Sequence, residues 1–199
     1  EEHEATFDEH NMRDYTDMFI RKMRQQKDDP ESTFDHGQLL KCIGDLFVAG
    51  TETTSTAMRW LIVLLINNPE VQKNMRKEIN DVIGTSRFPS LDDKPNMVYT
   101  EAILNEVLRF GCIAPLSSPF KLKEDLHYKD LLIPKECLLS MNLHSVMHDP
   151  DIFENPESFK PSRFIEDGKL SNVDKNIAFS LVRLNCLGES LAKMEFFLF

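Results

Sequence analysis

The chain has 199 residues, 41% of them apolar, and carries 33 acidic against 23 basic side chains for a formal charge of −10. That apolar content supports a packed core and excludes a disordered chain, and an acidic balance with no block of lysines or arginines offers nothing to nucleic acid or an anionic membrane surface. Four cysteines stand far apart with no CxxC pair, which argues against a structural zinc site and a disulfide framework and fits a reducing compartment.

The start, EEHEATFDEH, is acidic and polar, unlike a secretory leader, and the longest unbroken apolar run, Trp60 to Ile66, is too short to span a bilayer. Met12, Tyr15, Met18, Phe19 and Met23 recur at helical spacing and predict an amphipathic helix from about Asn11 to Gln26. After the linker DDPEST, Asp35 is placed to cap a long central helix over 36–68, about 33 residues or about 50 Å, which Pro69 stops. Between Leu46 and Ile66 that helix is apolar over most of its circumference, so it calls for neighbours on every side, more than the few helices and three short strands expected of this chain can supply. Halfway along it lies a polar knot, Ala49 to Ser55, whose glycine and hydroxyls weaken a helix interior. Such a segment reads either as a buried helix with satisfied threonines or as a bend facing a ligand or a proton path.

Asn68-Pro69 restarts a helix that buries Val71, Met75, Ile79, Val82 and Ile83 and closes at Gly84. Tyr99, Ile103, Leu104, Val107 and Leu108 mark another, ending near Phe110. Beyond Pro115 the pattern alternates and predicts three short strands, with turns at Glu124-Asp125, Lys129-Asp130 and Pro134-Lys135. Asn142 can cap a short helix to His148, an irregular proline-punctuated stretch follows, and helix resumes from about Leu187. The fold class expected is mainly α with a small mixed β-sheet.

Glu106 and Arg109 share a helix face at i, i+3, a spacing that alone describes a surface ion pair. In FKPSRF, Phe159 to Phe164, Arg163 sits between aromatics, where a cation needs a buried carboxylate; Glu106 could supply it. Cys186 immediately precedes a predicted helix, whose N-terminal N–H groups stabilise a thiolate, and Gly188 would let a flat ligand approach the backbone; a lone cysteine is otherwise a small core residue. His144 and His148 stand at i, i+4, but Ser145 occupies the place where a zincin has glutamate.

AGTETT, then ExxR as Glu106 to Arg109, then FKPSRF, then Phe179 followed seven residues later by CLGE and LA, together closely resemble the haem-thiolate monooxygenases, the cytochromes P-450. PEVQKNMRKEINDVIG, MVYTEAILNEVLRF and CLGESLAKMEFFLF resemble the microsomal animal members that oxidise drugs, steroids or fatty acids. The resemblance covers 1–199 and implies the C-terminal part of one such domain, with its haem-cysteine loop at 179–192. It implies haem b ligated by the Cys186 thiolate, with Phe179, Gly188 and Ala192 around it. Glu52 and Thr53 would relay protons to dioxygen, and Ala49 and Gly50 would leave room over the haem. Ala49, Ala114 and Ser118 would line the substrate pocket, and Glu106, Arg109 and Arg163 would form a buried ion triad.

The resemblance also implies NADPH electrons delivered by a reductase, cytochrome b5 as a further partner, and a parent on the cytosolic face of the endoplasmic reticulum membrane, held by an N-terminal anchor absent here. Four positions depart from the family pattern. Val182 and Leu184 replace the loop's glycine and its propionate-binding arginine, Phe120 replaces a second propionate partner, and Ser162 replaces a glutamate. These departures leave a second reading open, a haem-free chain that acts only by binding.

Overall fold

The computed structural model describes residues 2–181 and 185–199, which divide into two units, 1–52 and 53–199. In the first unit, α1 (Glu2–Ala5) and α2 (Tyr15–Gln25) precede the N-terminal half of α3 (His36–Asn67). α2 starts four residues later than the apolar spacing predicts, because Asp14 is its cap: the side chain accepts from the N–H groups of Thr16 and Asp17. The buried stripe is accordingly Phe19 and Ile20, packed with Leu39 and flanked by Phe7, Met23, Phe34 and Cys42, while Tyr15 and Met18 are exposed. Fully buried Asp17 accepts from Arg13 Nε at 2.6 Å and Nη2 at 2.8 Å. His3 Nδ1 lies 2.9 Å from the same carboxylate. His3, Asp14 and Asp17 could converge on a metal, but Arg13 already supplies the cation there.

α3 begins at the expected residue, with Asp35 Oδ1 accepting from the Gln38 N–H at 2.8 Å. It ends at Asn67 because the amides of Asn67 and Asn68 turn back onto the carbonyls of Val63 and Leu64, both at 2.8 Å, before Pro69. Leu46, Phe47 and Val48 are exposed, as are Ile62, Val63 and Ile66 further along; the buried stripe of the C-terminal half of α3 is Ala57, Leu61 and Leu64. The few helices and short strands of this chain are too little to cover α3 all round, and within residues 53–199 one face of its C-terminal half is met. Among the described residues no helix is long and apolar enough to cross a membrane.

The helix that is covered all round is α5 (Val98–Gly111), where Ala102, Ile103, Leu104, Glu106, Val107, Leu108 and Arg109 are all buried. One of its sides joins α3, α4 (Pro69–Val82) and α7 (Glu189–Leu198) in a core that includes Leu61, Leu64, Phe196 and Phe197. The other packs Ala102 with Leu143 and Met147 of α6 (Leu143–Met147) and with Phe153, Phe164 and Ile177. Asn142 caps α6, its Oδ1 accepting from the Ser145 N–H at 3.0 Å. The start of α5 lacks a cap of its own. Glu78 of α4 provides one across space, accepting from the N–H groups of Tyr99 and Thr100 at 2.8 and 2.7 Å.

Where three strands were expected there are four, in two separate antiparallel ladders. β1 (Phe120–Lys121) pairs with β4 (Leu138–Leu139), and β2 (Leu126–Tyr128) pairs with β3 (Leu131–Ile133). A further hairpin, β5 (Ile165–Glu166) with β6 (Lys169–Leu170), turns on Asp167 and Gly168, both at positive φ. Pairing is antiparallel throughout the described residues.

The α4–α5 connection is clasped. Arg87 donates twice to Asp93, at 2.7 and 2.6 Å, and the Ser90 N–H adds a bond at 2.8 Å. The Arg87 guanidinium, followed by the Ser90 N–H, pulls the Asp93 carboxyl from its ordinary 3.8 down to about 2. A lowered carboxyl pKa contributes stability above its unfolded value that is lost as pH falls through its folded value. The connection is therefore expected to loosen between about pH 4 and pH 2, and Arg87→Leu should return the Asp93 titration toward 3.8, as read by carboxyl NMR.

Candidate functional site

Two groups of side chains carry chemistry in residues 53–199. One is centred on the Glu106 carboxylate, which is inaccessible to solvent. Arg109, one turn on along α5 and equally buried, donates to it through Nε at 2.8 Å and Nη2 at 2.9 Å. Arg163 Nε approaches at 3.1 Å, and the Lys160 N–H donates at 2.8 Å. The remaining guanidinium donors are spent on backbone: Arg109 on the carbonyls of Met147 and Pro156 at 2.8 and 2.9 Å, Arg163 on those of Glu154 and Ser158 at 2.7 and 3.0 Å. Phe153 adds a ring 5.3 Å from the Arg109 guanidinium carbon. Each charge is thus paired and each lone pair used, the condition under which buried ions are tolerated.

The second group surrounds Cys186. Its N–H donates to the Phe179 carbonyl at 2.9 Å, and its own carbonyl accepts from the Glu189 N–H at 3.3 Å. The helix starts at Glu189, two residues later than expected, so Leu187 and Gly188 form a turn and the Glu189 N–H is already engaged. Gly188 is the N-cap, with an ordinary φ of −88°, and the Ala192 N–H closes the first helical turn on its carbonyl at 2.8 Å. Phe179 is half-buried, with Lys193 Nζ 5.4 Å from its ring centroid. The Cys186 thiol is exposed, and so are the flanking Leu181, Leu187 and Leu191.

The remaining candidates are placed as follows. Glu52 and Thr53 are exposed on α3, as are Ala49 and Gly50; Ala49, Gly50 and Glu52 belong to the first unit and Thr53 to the second. In the same knot the Thr51 hydroxyl bonds back to the Phe47 carbonyl at 2.7 Å. Ala114 and Ser118 are exposed in the segment after α5, and Phe120 is half-buried in β1. Val182 and Leu184, where the loop departs from the family pattern, lie with Arg183 outside the described residues. Glu78, Lys160 and Lys193 were not singled out from sequence. Lys160 lies inside FKPSRF, but its contribution is a backbone N–H, which no residue type announces.

A family model described as Cytochrome P450 matches residues 1–199. The chain belongs to the cytochrome P450 family. It is 42% identical over 199 residues to cytochrome P450 2C20 of Macaca fascicularis and 40% identical over 200 residues to cytochrome P450 2B4 of Oryctolagus cuniculus, in each case covering all of this chain and 41% of the relative. Against human cytochrome P450 2U1 it is 42% identical over 199 residues, 99% of this chain and 37% of that protein. The chain thus spans about two fifths of the length of the curated relatives it matches.

The family implies haem, and the donor chemistry around Cys186 fits it. A soft sulfur donor stands exposed at the head of a helix among exposed leucines, a lining that would suit an apolar macrocycle whose iron takes a thiolate.

Removing the Glu106 carboxylate would strand two guanidinium groups and one N–H. Glu106→Ala in the full-length P450 should cost about 3–5 kcal/mol in denaturant unfolding. The double change Glu106→Leu with Arg109→Met should cost less than the sum of its parts, because the singles share one interaction.

Proposed function

We propose that the full-length parent of this chain is a monooxygenase that inserts one atom of dioxygen into an apolar substrate such as a drug, steroid or fatty acid. The balance is substrate, O2, two electrons and two protons giving hydroxylated substrate and water. Electrons come from NADPH through a reductase, with cytochrome b5 as a further donor, and the parent works at the cytosolic face of the endoplasmic reticulum membrane. The observation that carries the reading is the exposure of Cys186 at the head of α7, where Cys112 is buried and Cys42 and Cys137 are half-buried. Haem b bound there would supply dioxygen activation, promoted by the electron density that a thiolate ligand pushes onto iron.

The chain's own residues would do the rest. Cys186 presents sulfur, held by its bond to the Phe179 carbonyl and by the turn into α7. Glu52 and Thr53 would relay protons at the polar segment of α3. Gly50 would leave room over the haem, and the space beside it is open, with no atom of the chain within 4 Å of a Cβ built there. Glu106, Arg109 and Arg163 hold the chain from 147 to 164 against α5, and with it the core beneath the cysteine loop. The family match gives no support to the haem-free alternative.

In the full-length protein, Cys186→Ser should abolish the thiolate-type carbon monoxide spectrum while Cys42→Ser, Cys112→Ser and Cys137→Ser keep it; retention in Cys186→Ser would remove the proposal. Thr53→Ala should keep haem and substrate binding yet divert NADPH electrons to hydrogen peroxide, because proton delivery is what it loses. The measurement is the ratio of peroxide to hydroxylated product, and an unchanged ratio would make Thr53 a packing residue.

A further inference from the structure

Within residues 53–199, α3 and α7 meet through an apolar contact and a polar one. Ala57, Leu61 and Leu64 of α3 share a core with Phe196 and Phe197 of α7. Three residues before Ala57, the Thr54 hydroxyl donates to Glu195 Oε2 at 3.5 Å, both side chains being half-buried. The nearby Lys193 directs its charge to Glu189, at 2.6 Å. A carboxylate of one helix facing a hydroxyl on the polar segment of another joins the two helices at a defined point.

We infer that Thr54 and Glu195 are positioning residues, which fix α7 and the cysteine at its head relative to the segment of α3 that carries Thr53. The inference rests on the function proposed above. The other end of α7 is tied to the sulfur: Lys193 bridges Glu189 and the Phe179 ring, and the Phe179 carbonyl holds the Cys186 N–H. A helix of 10 residues transmits a displacement at Glu195 along its length to that end. Thr54 is next to Thr53 in sequence, so the same bond also limits rotation of α3 at the hydroxyl assigned to proton delivery. Reaction geometry is sensitive at this scale, a misplacement of about 1 Å costing roughly 100-fold in rate.

The test uses the full-length protein. Thr54→Val removes the hydroxyl and keeps the shape, Thr54→Ser restores it, and Glu195→Gln keeps an acceptor without charge. Thr54→Val is expected to raise the share of NADPH electrons lost as peroxide several-fold and to convert part of the carbon monoxide spectrum from the thiolate to the thiol type. Thr54→Ser and Glu195→Gln should stay near wild type. A contact that matters for folding alone would lower the melting temperature of Thr54→Val and leave both readouts unmoved, and that result overturns the inference. Hydrogen exchange in the apoprotein gives an arm free of haem: amides of α7 should exchange faster in Thr54→Val than in Thr54→Ser, and equal rates also overturn it. A Cys186→Ser protein that keeps its thiolate spectrum would overturn the functional reading and this inference together, whereas the other adverse results overturn the inference alone.

Discussion

A single carboxylate, that of Glu106, imposes order on the least regular part of the chain. Burying it obliges the protein to bring cations and N–H donors to one point, since an unpaired buried ion costs several kcal/mol. Arg109 comes from the same helix, but Arg163 and the Lys160 N–H come from more than fifty residues away. The guanidinium donors left over then take up carbonyls from 147, 154, 156 and 158. In regular structure the backbone satisfies itself; here, in a stretch with little helix or strand, two arginines do so. Phe153 and Phe164 close over the cluster and keep water from competing for it. The net contribution to stability is small beside the specificity: few other arrangements of residues 147–164 would satisfy every charge.

Helix boundaries were legible where side chains announce them. Asp35 and Pro69 bracket α3 to within a residue of the reading, and the apolar spacing of α5 locates that helix. The start of α2 was misplaced because Met12 continues the apolar period, whereas Asp14, which decides the matter, was not weighed as a cap. The β5–β6 hairpin was missed although Asp167-Gly168, a strong two-residue turn signal, stands in the sequence; its strands are two residues long and show no alternation. That α3 would stay partly uncovered was legible from how few elements follow it; that α5 would be the enclosed helix was not. α3 has the more continuous apolar run, but burial depends on what packs against a helix, and α5 receives the partners.

The candidate site was legible to differing depths. Spacing shows that Glu106 and Arg109 can pair, but their burial, the Lys160 N–H and the carbonyl acceptors between 147 and 158 are products of tertiary folding. For Cys186 the four motifs in order singled out the residue, while the turn that delays α7 to Glu189 left no mark that spacing could reveal. The polar knot of α3 was legible as a weak point, and the bond from Thr51 to the Phe47 carbonyl is the local competition expected of a mid-helix threonine.

The cap that Glu78 places on α5 bears on how this family can vary. Because the start of α5 is held by a side chain of α4, the position of α5 does not rest on residues 83–97 alone, which link the two helices. Closing a longer loop between fixed ends costs only about 0.6 kcal/mol per doubling of its length. The connection through Arg87 and Asp93 is therefore free to lengthen, shorten or change its surface chemistry while the helix carrying Glu106 and Arg109 stays where it is. A carboxylate remote from both chemical centres thus separates the part of the chain that can diversify from the part that cannot.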